Sequence, residues 1–80
     1  MNKVIIEVFD LTTCSAVKSA LKTIRKMIGI RGDYNLLTLA GEAFISIRGI
    51  LPDAILTETA SGYGIIYQSV ILMEFTRAEK

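Results

Sequence analysis

The most constraining feature of this sequence is a single amphipathic pattern near its start. Ala16, Val17, Ala20, Leu21, Ile24, Met27 and Ile28 recur at helical spacing, so residues of one stripe return to one side of a helix every three or four positions. Asp10 to Thr13 precede it with side chains that accept hydrogen bonds from free amides at a helix start, and Gly29 offers a natural stop. A helix with one apolar stripe needs a second layer to bury that stripe. The layer is announced immediately upstream by Lys3 to Phe9, a run of β-branched and aromatic side chains too short for a helix.

Downstream, two templates compete. Leu36, Leu37, Ala40, Phe44 and Ile47 fit a helix, whereas Ala43, Ile45 and Ile47 alternate with Phe44, Ser46 and Arg48 as in a strand. Gly41 costs a helix about 1 kcal/mol relative to alanine, and Ala-Gly-Glu at 40–42 suits a hairpin connection. The expectation is therefore two strands, 34–39 and 43–48. Pro52-Asp53 reads as a helix start, giving a short helix over 53–61 closed by Gly62, with a strand over 55–60 turning at Ser61-Gly62 as the competing interpretation. Residues 65–75 read as one long final strand, and 76–80 as a frayed tail. The resulting order, strand-helix-strand-strand-helix-strand, predicts an α+β fold of ferredoxin-like βαββαβ type. It would be a four-stranded antiparallel sheet with two helices on one face.

Eighty residues supply one core, so residues 1–80 are expected to form a single domain. The hydrophobic share of 51% against 21% charged residues is high for so small a body, which implies cover from a partner or a second copy of the chain. A net charge of +1 does not draw the whole molecule to nucleic acid. Locally, Lys18, Lys22, Arg25 and Lys26, with Arg31, make a basic cluster along the first helix. A solvated outer face accounts for it, and the alternative is a nucleic-acid or acidic-partner surface; the aromatic interleaving of a single-strand binder is missing. The chain has no secretory leader pattern, no apolar run of membrane-spanning length and one cysteine, so a cytoplasmic setting without a membrane anchor is the expectation. With no histidine, no recognisable carboxylate pair, no phosphate loop and no nucleophile near a base, enzymatic activity is not expected.

Several segments together resemble the heavy-metal-associated domain of copper chaperones and metal pumps. These are the opening Lys-Val-Ile-Ile-Glu-Val, Thr13-Cys14 where that family's metal loop begins, the helix from Ala16, and Pro52-Asp53 followed by Ala-Ile-Leu. The family's second metal-binding cysteine is missing, since Val17 stands three residues after Cys14 and Leu11 three before it. One thiolate leaves a soft ion such as copper under-coordinated, so no cofactor is expected unless Cys14 residues from two molecules share one ion; the other account of Cys14 is a small buried hydrophobe. Residues 39–49 look most similar to degenerate plant members, including domains integrated in immune receptors that capture pathogen effectors. The resemblance implies a protein-interaction module, with another protein or a second copy engaging the sheet face and last strand. Glu42, Ser46, Arg48, Val70, Leu72, Glu74 and Lys80 would be the contact residues.

Overall fold

In a computed structural model, which describes residues 3–9, 14–31 and 35–78, the chain runs β1 (Lys3–Val8), α1 (Cys14–Arg31), α2 (Leu36–Arg48), β2 (Ile55–Glu58), β3 (Gly62–Tyr67) and β4 (Val70–Ala78). It is an α+β fold, a four-stranded antiparallel sheet with both helices on one face. That layered architecture is the expected ferredoxin-like one, but the order along the chain is βααβββ rather than βαββαβ. The spatial order is β1-β4-β3-β2, so β4 is a central strand, and the edges are β1 and β2 rather than the last strand.

The chief correction is α2, which replaces the expected strands at 34–39 and 43–48. Leu39, Ala40, Ala43 and Ile47 are buried, whereas Ile45 is 66% exposed. A strand would have put Ile45 on the same side as its neighbours at 43 and 47. Asn35 fixes where the helix begins: its Oδ1 accepts from the Leu37 amide at 2.8 Å and the Thr38 amide at 3.4 Å, satisfying two of the donors that a helix start leaves free. Gly41 is tolerated because the buried side chains around it outweigh a propensity cost of about 1 kcal/mol. The same reasoning carries α1 through Gly29 to Arg31.

Pro52-Asp53 begins no helix. The Ala54 amide bonds to the Leu51 carbonyl at 3.1 Å and leads into β2, so the competing strand interpretation holds, in shortened form. The expected single strand over 65–75 is two strands folded back at Gln68-Ser69, both with positive φ, 51° and 65°. Thr76 and Arg77, expected to fray, are paired with Ile5 and Val4. The turn has the two left-handed residues of a tight hairpin loop that glycine or asparagine usually supplies. Replacing Ser69 with glycine should therefore raise stability by about 1 kcal/mol, read as a higher urea midpoint at unchanged slope.

β4 also carries a bulge. Ile65 pairs with Met73 but Ile66 with Ile71, leaving Leu72 as the extra residue. Leu72 and Met73 are consequently both fully buried, because a bulge interrupts the alternation that would send one of them to each face. They join Phe75, Ile65, Ile24, Leu39 and Ile47 in a core between sheet and helices. Val4, Ile6 and Val8 pack on the same core from β1. Between the helices, the hydroxyls of Thr23 and Ser46 lie 3.1 Å apart.

Candidate interaction surface

The two helices cover one face of the sheet, and the smallest extent of the molecule, 17 Å, is the thickness of two layers spaced about 10 Å apart, with none to spare for a third. Among the described residues, the other sheet face is therefore bare. The strand register states which residues lie on it. Ile5 and Glu7 of β1 alternate with the core-packed Val4, Ile6 and Val8, and Phe9 extends the row where its amide donates to the Leu72 carbonyl at 2.9 Å. On the neighbouring strands the same face carries Thr76, Glu74 and Ile71 of β4, Gly64 and Ile66 of β3, and Thr57 and Ile55 of β2.

These residues form two chemically distinct rows. At the hairpin end, Ile71, Ile66 and Ile55 cross β4, β3 and β2, with Phe9 just past the end of β1, and Phe9 is 55%, Ile71 45% and Ile55 59% exposed. One rung along, Glu7 and Glu74 stand directly opposite one another on adjacent strands, followed by Gly64 and Thr57. Like charges across a strand pair repel, so the isolated fold pays for holding two carboxylates here. Isolated exposed hydrophobic residues are ordinary, but an apolar row spanning a sheet beside a concentrated charge is the pattern of a contact surface.

The residues singled out in the sequence distribute unevenly over this map. Glu74 lies on the bare face and Val70, exposed, stands at the hairpin beside it. Leu72, expected at a partner contact, is instead fully buried by the bulge. Glu42, Ser46 and Arg48 belong to α2 and not to a strand, so they lie on the helix layer, Ser46 against Thr23 and the Arg48 guanidinium 5.6 Å from the centre of the Phe44 ring. Lys80, the side chain of Cys14 and the helix-start residues 10–13 lie outside the described residues. Lys18, Lys22, Arg25 and Lys26 are all exposed on α1, across the helix from the buried Ala16, Val17, Ala20 and Ile24.

Sequence reasoning passed over Ile5, Glu7, Phe9, Ile55, Ile66 and Ile71. A signal was present in β1, where apolar residues occupy both alternating sets, Val4, Ile6 and Val8 against Ile5 and Phe9; a sheet with one solvated face shows a cleaner alternation. Among the described residues, no group of three or more histidine, cysteine, aspartate or glutamate side chains is placed to hold a metal, and no helix is long and apolar enough to cross a membrane. No family model, curated protein or solved structure matches the chain.

Proposed function

We propose that this chain is a non-catalytic protein-interaction module that contacts its partner through the bare face of the sheet. The observation that supports it is the row Ile71, Ile66 and Ile55 across β4, β3 and β2, continued by Phe9 past the end of β1, over which the described residues place no second layer. Burying such side chains contributes roughly 25 cal/mol for each Å² of apolar surface removed from water, a driving force available only to a partner. Strand addition at β4 is ruled out because both of its edges are already paired. The contact is made by side chains on a face, with the edges β1 and β2 at its margins.

A photo-crosslinking amino acid placed at Ile71 or at Ile55, in the full protein in its source cells, should give discrete protein adducts, and one at Gln68 on the exposed hairpin tip should give few. Adducts at Ile71 should vanish when Ile55 and Ile66 are both changed to glutamate while the thermal melt stays cooperative. Equal, diffuse labelling at all three positions would remove the support for this surface.

A further inference from the structure

We infer that the outer edge of β1 pairs with β1 of a second copy of this chain, antiparallel about Ile5, so that two sheets join into one. This contact goes beyond the sheet-face reading and does not depend on it. The order β1-β4-β3-β2 gives β1 one neighbour, and among the described residues no strand lies on its other side. The Phe9 amide donates to the Leu72 carbonyl of β4 at 2.9 Å. Backbone groups in an antiparallel ladder alternate between the two sides of a strand. Ile5 and Glu7 therefore turn theirs to β4 as Phe9 does, while Val4, Ile6 and Val8 turn theirs to the open edge.

Edge strands are usually kept from pairing with other chains by being short, by a bulge, by proline or by charge. β2, the other edge, is only four residues long. β1 has six residues, no proline and a regular register with β4 along its whole length. Its charges, Lys3 and Glu7, are what select the occupant. Alternation puts Lys3, Ile5 and Glu7 in one row, Lys3 two residues before Ile5 and Glu7 two residues after it. Such a row repels a strand that opposes it with like charge, but it is complementary to its own antiparallel copy.

Within one molecule the strand pairing gives neither charge an opposite: Lys3 stands in register with Ala78, and Glu7 with Glu74. Glu7 thus has a like charge on one side and an open edge on the other. A copy centred on Ile5 brings its Lys3 to that open side and, by the same symmetry, its Glu7 to Lys3. Ile5, 44% exposed, meets its own equivalent. Val4 pairs with Ile6 of the second copy and Ile6 with Val4, each rung exchanging two backbone hydrogen bonds. Centring on Ile6 instead gains a rung between Val4 and Val8 but sets Ile5 against Glu7 and leaves both charges without an opposite. Centring on Glu7 sets that carboxylate against its equivalent as well as Glu74, and like charges across strands repel. The contact uses the same edge of both copies, so it closes as a two-fold dimer.

The test uses the whole chain. In a Cys14→Ser form, which has no native thiol, Ile5→Cys puts a thiol on the two-fold axis at a non-hydrogen-bonded pair. Cα atoms there lie about 4.5 Å apart, within disulfide reach, so a glutathione redox buffer should give a covalent dimer. Glu7→Cys alone should give little, since its equivalent lies about 13 Å along the strand, whereas an equimolar mixture of Glu7→Cys and Lys3→Cys should crosslink. By sedimentation equilibrium the otherwise native chain should reach a dimer as concentration rises. Glu7→Lys should weaken that dimer about tenfold by opposing like charges at both symmetric pairs, yet leave the dilute monomer at least as resistant to urea, because the repulsion with Glu74 is gone. Adding Lys3→Glu to the same chain should restore the dimer. A native chain that stays monomeric at about 1 mM, the weak end of specific association, overturns the proposal. So does a dimer that Ile5→Cys fails to trap, or one that the Lys3→Glu, Glu7→Lys exchange does not restore. None of these results alters the adducts expected at Ile71 and Ile55, so the sheet-face reading stands or falls on its own experiment.

Discussion

Phe75→Ala should cost about 3–5 kcal/mol, the range for truncating a large aromatic side chain in a core, and leave the chain close to unfolded at room temperature. Phe75 sits on the central strand β4, fully buried, between Tyr63 of β3 and Ile6 of β1, its partners in register. The cavity would open in the middle of the sheet's inner face, bounded by paired strands on both sides that cannot collapse into it without losing backbone hydrogen bonds. A small domain holds only about 5–15 kcal/mol in total, so one such loss consumes much of it. Urea unfolding followed by far-ultraviolet circular dichroism measures the effect. A loss below about 1 kcal/mol would mean that Phe75 does not occupy the core of the folded protein.

Gly62→Ala should be nearly as damaging, at about 2–4 kcal/mol, although it adds a single methyl group. A Cβ at Gly62 runs into the carbonyl oxygen of Phe75, a backbone atom, and also meets Leu36 Cδ2 at 3.1 Å. Backbone in a paired central strand cannot swing aside as the end of a flexible side chain can, so the start of β3 must separate from β4. Gly29→Ala is the matched control: no atom lies within 4 Å of its Cβ position, and the change should be neutral or stabilise α1 by up to about 1 kcal/mol. Both variants are compared by urea midpoint. Gly62→Ala unfolding within about 0.5 kcal/mol of the native chain, the spread of ordinary surface changes, would contradict the pairing of Gly62 with Thr76.

The sequence reading failed at α2 for a specific reason. Gly41 reads locally as a helix breaker, whereas the position tolerates glycine without requiring it, since no atom lies within 4 Å of a Cβ placed there. The cap that does fix the helix start, Asn35, sits before Leu36 and lacks the glutamate three residues on that would have marked a capping box. The helix expected at 53–61 where β2 stands has a separate cause, the Pro52-Asp53 pair that reads locally as a helix start. The hairpin at Gln68-Ser69 was illegible for a similar reason, because neither residue is the glycine or asparagine that such a turn favours. The apolar run around it looked continuous.

Of the candidate sheet-face surface, Glu74 was legible, and so was the exposure of the α1 basic side chains, since charged residues on an amphipathic pattern advertise their exposure. The apolar row was not. Ile66 and Ile71 are identical in type to the buried Ile65, and only the register, shifted by the bulge at Leu72, sends them to the opposite face.

By itself the sequence determined the first strand, the first helix, the α+β class and the excess of apolar side chains, because these follow from local periodicity and composition. Only the tertiary structure decided the second helix, the hairpin, the central place of β4 and the rows of the bare face. Each of these depends on which distant segment a residue packs against, and burial contributes more than the local preferences of single glycines, serines or prolines that the sequence displays.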